Sequence, residues 1–302
     1  MHTRLFNIVL ALLISSVSFS QSGFNEFLKP SDTLNTKRKN AVLISGTSLA
    51  GLTLVGLDRL WYKDFPRSSF NAVNDNDEWL QVDKIGHLFS AYQLTRVGAE
   101  SFEWAGASKN SQLIFGSALS LGFLTTVEIF DGYSAEWGFS WGDFAANALG
   151  SGIYVGQELL WDEQRVTVKY SFHQTSLAPQ NPEKLGDGLF EEFLKDYNGQ
   201  TYWLSANIHS FFKDSKLPKW LNIAVGYGAE GMLTGRSDAS TFFPNQDGTR
   251  QFYLSLDVDL SRIQTNSRFL RTIFSIINVL KIPSPTLEFS SKRGTVVHLL
   301  YF

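Results

Sequence analysis

Apolar and polar positions follow two different periods along this chain of 302 residues. Before about residue 162, apolar stretches approach the roughly 20 residues that a helix needs to cross a hydrocarbon core. Beyond that point, apolar and polar residues alternate with a period of two, which is typical of strands with one apolar face. The pattern predicts an α+β fold, in which an N-terminal, membrane-type bundle of about four helices precedes an antiparallel β-sheet.

The predicted bundle occupies residues 41–162, and its helices are expected at 41–57, 83–102, 111–130 and 141–161. Small residues recur every fourth position in two of them, at Ala148, Gly152 and Gly156 and at Gly46 and Ala50. Such ladders allow helix backbones to approach closely inside a membrane. The same ladders would also pack a soluble bundle, so both alternatives stay open.

The predicted β region covers residues 163–302, with one helix at 268–282. Alternation is clearest in "RVTVKYSFHQ", "LNIAVGYGAEGML" and "FYLSLDVDL", and weaker in 202–212 and 286–302. About six strands would close into a very small barrel, so a curved or partly closed sheet against the helices is expected. Asp257 and Asp259 lie on the polar face of their strand, which we expect to be solvated.

Two environments are possible for the predicted sheet, a membrane and an aqueous one. Aromatic-rich strands of about ten residues that end in Phe302 resemble those of outer-membrane β-proteins. A soluble antiparallel sheet that covers the helices is the other alternative. In the same region, the Asn198–Gly199 pair predicts a turn.

The N-terminus resembles an export signal. Arg4 precedes a short apolar run, and the small residues Ser18 and Ser20 predict cleavage before Gln21. Residues 1–20 are therefore expected to be a signal peptide, with an uncleaved anchor helix as the alternative, and 21–40 a linker or arm. Export into the cell envelope follows, with the outer membrane or the periplasmic side favoured over the inner membrane.

Composition excludes several classes of function. The chain has no cysteine, which excludes disulfides, a thiolate metal site, a cysteine nucleophile and anchoring through a lipobox cysteine. A net charge of −3 gives no basic excess, so no nucleic-acid partner is expected. Aromatic residues make up 14% of the chain, which suits a protein with a lipid-facing surface.

Three of the apolar helices each carry one polar stripe. Asp83 and His87 are four residues apart and share a helix face, with Lys84 on the flank. Glu128 and Asp131 lie at the end of the next helix.

Asp143 and Asn147 lie near the start of the last helix, again four residues apart. Charged groups in such helices usually face a bundle interior or a cavity. If the three stripes converge, one imidazole and several carboxylates form an acid/base or hard-metal site. The alternative is that each stripe caps a helix end or contacts water.

The motif "DKIGHLFSAY…EIFD…GFSWGDFAANALG" resembles the YfiM-type family of predicted periplasmic lipoproteins and, more distantly, the VanZ-like membrane proteins. The resemblance covers roughly residues 41–160 and rests on Asp83, Lys84, His87, Glu128, Ser140, Asp143, Asn147 and Gly150. Asp131 stands where the VanZ-like pattern has a glutamine. The resemblance implies an envelope membrane protein and supplies no reaction.

Two classes of function stay open. In the first, the protein is an acid/base or metal-assisted enzyme acting on a membrane lipid or envelope glycan. His87 would carry the proton, Asp83 would orient it, and the carboxylate partners would be Glu128, Asp131 and Asp143. Lys84, Ser140 and Asn147 are the expected binding residues.

In the second class, the protein is a non-enzymatic structural or assembly component of the outer membrane. The polar stripes would then only hold the helices together. The sequence identifies no cofactor and no protein partner, and it leaves a bound metal open.

Overall fold

The computed structural model describes residues 21–62, 65–235 and 248–302. The predicted signal peptide, residues 1–20, lies outside this part of the chain. The α-helices are α1 Gln21–Phe27, α2 Thr36–Leu57, α3 Val82–Trp104, α4 Lys109–Gly132, α5 Trp141–Trp161, α6 Pro182–Leu185, α7 Leu189–Lys195, α8 Ile208–Phe211 and α9 Arg268–Ile277.

The strands form two sheets. They are β1 Ala72–Val73, β2 Phe139–Ser140, β3 Val166–Phe172, β4 Gln200–Asn207, β5 Leu221–Glu230, β6 Thr249–Val258, β7 Ser284–Ser290 and β8 Gly294–Tyr301. Strands β3 to β8 pair in chain order as one antiparallel sheet, and β1 and β2 form a short parallel pair. The prediction of helices followed by an antiparallel sheet is thereby confirmed.

Helices α3, α4 and α5 pack against each other through glycines. A Cβ added at Gly98 of α3 would lie 2.8 Å from the Cα atom of Gly116 in α4. A Cβ added at Gly150 of α5 would lie 2.1 Å from the carbonyl oxygen of Leu88 in α3. These contacts need glycine because the helix backbones touch there.

The predicted ladders differ from these contacts. Apart from the glycine's own helix and chain neighbours, no described atom lies within 4 Å of a Cβ placed at Gly152 or Gly156. The second predicted ladder lies on α2, where a Cβ at Gly46 would make an ordinary contact of 3.7 Å with Leu119. The spacing of small residues was therefore a poor guide to which glycines pack.

A bundle of four helices is not confirmed. Helix α2 has no buried residue, because its apolar residues surround the whole helix and present no single face to a core. Among the described helices, α2 and α4 are the two whose length and composition would allow them to cross a membrane. The compact helical unit is the trio α3, α4 and α5.

The six-stranded sheet buries its polar face and exposes much of its apolar face. On β6, Leu254 and Leu256 are exposed, whereas Ser255 and Asp257 are buried. The expectation that Asp257 and Asp259 are solvated is wrong, because both side chains are almost completely buried. The alternation separated the two faces of the strand correctly. We expected the polar face to contact solvent, but the structure buries it.

The buried charges on the polar face are paired. Lys169 Nζ lies 2.8 Å from Asp257 Oδ2, and both side chains are fully buried. Asp257 also accepts hydrogen bonds from the Ser205 hydroxyl (2.6 Å) and from the backbone N–H of Ile282 (3.1 Å). Burial of such charges is tolerated only when they are paired and hydrogen-bonded in this way.

The helix predicted at 268–282 is shorter in the structure, where α9 ends at Ile277. Residues 279–281 instead run beside β3. The Tyr170 N–H donates to the Val279 carbonyl (3.0 Å), and the Lys281 N–H donates to the Tyr170 carbonyl (2.8 Å). These bonds satisfy backbone groups on the outer edge of β3 that would otherwise be unpaired.

Candidate functional site

Three ionisable side chains lie close together in the first turns of α3. Asp83, Lys84 and His87 all lie in "VDKIGH", where the helix begins. The parallel pairing of β1 with β2 brings residues 72–73 beside 139–140. The loop after β1 and the start of α5 therefore meet at the N-terminal end of α3.

Lys84 joins three carboxylates. Its Nζ atom lies 2.7 Å from Asp75 Oδ2, 3.0 Å from Asp83 Oδ2 and 2.8 Å from Asp143 Oδ1. The lysine side chain is only 12% exposed, so water screens these ion pairs weakly. One ammonium group thus holds the loop after β1, α3 and α5 together.

His87 lies among the remaining acidic groups. Its Nε2 atom is 3.9 Å from Asp83 Oδ1 and 3.8 Å from Asp143 Oδ1, while Nδ1 is 3.6 Å from Glu128 Oε1. Nδ1 is also 3.2 Å from the amide oxygen of Asn147. Because an amide oxygen only accepts, Nδ1 donates in that bond and Nε2 is free to exchange a proton.

Ser140 organises the backbone between the helices. Its hydroxyl donates to Asp75 Oδ1 (2.6 Å) and accepts from the Asp143 N–H (3.1 Å), which caps α5. The Ser140 N–H donates to Glu128 Oε2 (3.3 Å). The predicted binding residue is therefore a positioning group in the structure.

Asp131 has a different partner. Its Oδ1 atom accepts a 2.7 Å hydrogen bond from the Tyr62 hydroxyl. The structure brings together seven of the eight residues predicted for the site and places Asp131 at its edge. They are Asp83, Lys84, His87, Glu128, Ser140, Asp143 and Asn147.

Three buried polar atoms in the site accept or donate no hydrogen bond. One is Asp143 Oδ1, which has the Lys84 ammonium at 2.8 Å as an ion-pair partner. The other two are Glu128 Oε1 and Asn147 Nδ2, on residues that are each 1% exposed. A buried polar group without a partner costs roughly 1–3 kcal/mol. Such atoms beside His87 are typical of a working site, where structure is kept at the expense of stability.

The carboxylates shift the pKa of their basic neighbours upward. Burial alone would lower the pKa of His87, but Asp83, Asp143 and Glu128 outweigh it and raise that pKa above its ordinary value. The pKa of Lys84 is likewise raised, because Asp83 and Asp143 outweigh the effect of burial. The site therefore favours a protonated imidazole.

The two aspartates shift in opposite directions. Burial, with the charge of Asp83 as the next cause, raises the pKa of Asp143 to about 7. Burial also acts to raise the pKa of Asp83, but His87 and Lys84 outweigh it and lower that pKa. Neighbouring carboxyls with separated pKa values are a common arrangement in acid/base sites.

A cavity of about 380 Å³ opens beside His87. Asp83 and His87 are its two charged lining residues, and Ser90 and Gln200 also line it. Most of the remaining lining is aromatic or aliphatic and comes from α3, α4, α7 and the sheet; it includes Phe89, Leu124, Tyr170, Phe193, Tyr202 and Leu280. The lining suits a largely apolar ligand with one reactive polar group.

Sequence reasoning missed two members of the site. Tyr197 donates a 2.6 Å hydrogen bond from its hydroxyl to Asp83 Oδ1, and Asp75 pairs with Lys84. Tyr197 lies in the predicted Asn198–Gly199 turn, which the structure forms with a bond from the Gly199 N–H to the Asp196 carbonyl (3.0 Å). The turn chemistry was visible in the sequence, but its contact with α3 was not.

The site also has the composition of a cation site. Single donor atoms of Asp83, His87 and Asp143 lie within 4.8 Å of one another. However, the Lys84 ammonium already lies within 3.0 Å of both carboxylates. The chain thus supplies its own cation here, which favours proton transfer over metal-assisted chemistry.

Residues 73–156 match a family model described as predicted periplasmic lipoprotein (DUF2279). This segment contains His87, Lys84 and every carboxylate around them, and Tyr197 lies outside it. The match confirms the similarity to a periplasmic lipoprotein family and supports an exported, periplasmic location. Comparisons with curated proteins and with solved structures found no match. The YfiM-type and VanZ-like resemblances stay predictions.

Proposed function

We propose that the protein is an acid/base enzyme of the cell envelope that acts on a membrane lipid. The observation that carries this proposal is that His87 and Asp83 line a cavity whose other lining residues are mostly aromatic or aliphatic. A lipid chain would fill the aromatic part and present its polar group to the imidazole. The aliphatic part of the lining, with Leu124, Leu194 and Leu280, has no counterpart on a glycan.

His87 Nε2 is the proton carrier in this proposal. Because the site favours the protonated imidazole, Nε2 first donates its proton to the leaving oxygen of the lipid, and it then takes a proton from the water that attacks the lipid. Asp83 and Asp143 stabilise the imidazolium, which is the resting form, and the bond from Nδ1 to Asn147 fixes the ring. Tyr197 holds Asp83 in place.

The sheet supports a membrane setting for this activity. Exposed apolar side chains occur on one face of β4, β5, β6 and β7, and the opposite face of these strands is mostly polar and buried. On β8, Val297, Leu299 and Leu300 are exposed. This distribution is the reverse of that in a soluble sheet, and it suits contact with lipid on the apolar face. We propose the outer membrane, and density-gradient fractionation that places the protein wholly with inner-membrane markers would overturn that location.

Lipid analysis of cells tests the proposed function. Cells that lack the protein should accumulate one envelope lipid, and the wild-type chain should restore the normal profile. His87→Gln should not restore it, although the protein reaches wild-type abundance. Leu280→Trp, which fills the cavity, should also fail, whereas Leu299→Trp on the exposed face of β8 should succeed. An unchanged lipid profile in the deletion strain would reject the proposal.

A structural lock is the second candidate, and the three ion pairs of Lys84 favour it. In that case His87 only holds α3 against α4 and α5. His87→Gln would then lower both the melting temperature and the abundance of the protein. Loss of function at normal stability and abundance supports the enzyme instead.

A further inference from the structure

A second cavity, of about 300 Å³, lies on the polar face of the sheet. It is lined by residues from the ends of the strands and from the C-terminus, among them Glu230, Tyr253, Glu288, Arg293, His298 and Tyr301. None of these residues contributes to the site around His87. The cavity therefore requires an explanation of its own.

The charges that line this cavity are paired with each other. His298 Nε2 lies 2.8 Å from Glu288 Oε2, and Arg293 lies 2.6 Å from Glu230 Oε2. The second oxygen of Glu288 accepts a 3.1 Å hydrogen bond from Gln251. Because these four charged side chains are paired with each other, the cavity suits a neutral ligand better than an ion.

Aromatic rings form one wall of the cavity. The rings of Tyr253 and Tyr301 stack with centroids 4.7 Å apart, and their hydroxyls are hydrogen-bonded at 2.8 Å. The His298 ring lies 5.0 Å from that of Tyr301. Such a wall provides an apolar surface beside a set of hydrogen-bond donors and acceptors.

We propose that this cavity binds a neutral sugar ring of an envelope glycan. A sugar has an apolar C–H face that packs on an aromatic ring and hydroxyls that both donate and accept. His298 and Arg293 would hydrogen-bond to the hydroxyls, and Glu288 would hold the His298 ring in position. An alkylammonium group is the competing ligand. It fits less well because it would need unpaired carboxylates, and Glu230 and Glu288 are both paired.

Saturation-transfer NMR on the full chain in detergent tests this site. The probes are free glucose, galactose, mannose and N-acetylglucosamine, with choline as the cationic comparison. At least one sugar should bind saturably, and His298→Gln and Arg293→Ala should each weaken binding about tenfold or more. Val297→Ala on the exposed face of β8 and His87→Gln in the other site should bind as the wild type does.

Three results would overturn the sugar site. They are no saturable binding of any of the four sugars, equal binding by wild type and both cavity variants, or binding of choline alone. The Arg293 side chain is 52% exposed, so Arg293→Ala keeps the test valid if His298→Gln fails to fold.

Discussion

The hydroxyl of Tyr197 donates a 2.6 Å hydrogen bond to Asp83 Oδ1 across 114 residues of sequence. The tyrosine lies in the turn before β4, and the aspartate lies in the first turn of α3. Trp79, just before α3, packs against the Tyr197 ring with centroids 5.0 Å apart. The β region thus contributes directly to a site whose other members come from the helical half.

Tyr197→Phe should destabilise the fold, because Asp83 then loses its neutral hydrogen-bond donor while staying buried. The expected loss is about 1–3 kcal/mol in the free energy of unfolding. Chemical denaturation in detergent measures it. Tyr133→Phe, at an exposed tyrosine, is the matched control and should have no effect. Equal loss in the two variants would show that the bond to Asp83 contributes nothing specific.

Lys84→Met should be more damaging, since Asp75, Asp83 and Asp143 lose the cation that they share. Removing one member of a buried ion pair typically costs about 3–5 kcal/mol. Asp143→Asn in the same chain should recover part of the loss by removing one carboxylate. Lys216→Met, at an exposed lysine, is the control. If Lys84→Met were as stable as Lys216→Met, the proposed role of Lys84 would be contradicted.

The sequence predicted the convergence at His87 because helix periodicity places residues four apart on one face. It did not reveal Asp75 or Tyr197, since each reaches the site through tertiary contacts that no local pattern encodes. It also did not distinguish Glu128 from Asp131, which lie three residues apart on α4. The rotation of α4 against α3 decides which of the two meets His87.

For the sheet, alternation predicted the strands but not the burial of Asp257. A period of two separates two faces, and it does not say which face meets the solvent. In this protein the polar face turns inward, where Lys169 neutralises Asp257. Only the partner across the sheet distinguishes a buried ion pair from a solvated carboxylate.

The pH dependence of stability has a definite sign. The pKa values of His87 and Asp143 are both raised, the latter to about 7, so the folded protein binds more protons than the unfolded chain. The contribution of Asp143 to stability is complete below about pH 4 and is lost as the pH rises through about 7. The contribution of His87 is complete below about pH 6.5 and is lost at higher pH. The lowered pKa of Asp83 has the opposite effect: its contribution to stability is present above about pH 4 and is lost as the pH falls below that value.

The melting temperature should accordingly fall between about pH 5 and pH 8.5. Asp143→Asn and His87→Gln should each flatten that fall, because each removes one of the groups whose raised pKa contributes to it. Asp214→Asn, at an exposed aspartate, should leave the slope as it is. A melting temperature that rises with pH in the wild type, or a slope that none of the variants alters, would refute this assignment.

The most direct test of the central claim is the turnover of envelope lipids by purified protein. Wild type, His87→Gln and His298→Gln are each incubated in detergent with a total envelope lipid extract, and mass spectrometry follows the lipids over time. We expect the wild type and His298→Gln to consume one lipid class and to form its product, while His87→Gln, folded and stable, does neither. Product formation by His87→Gln at the wild-type rate would contradict the claim that His87 carries the proton.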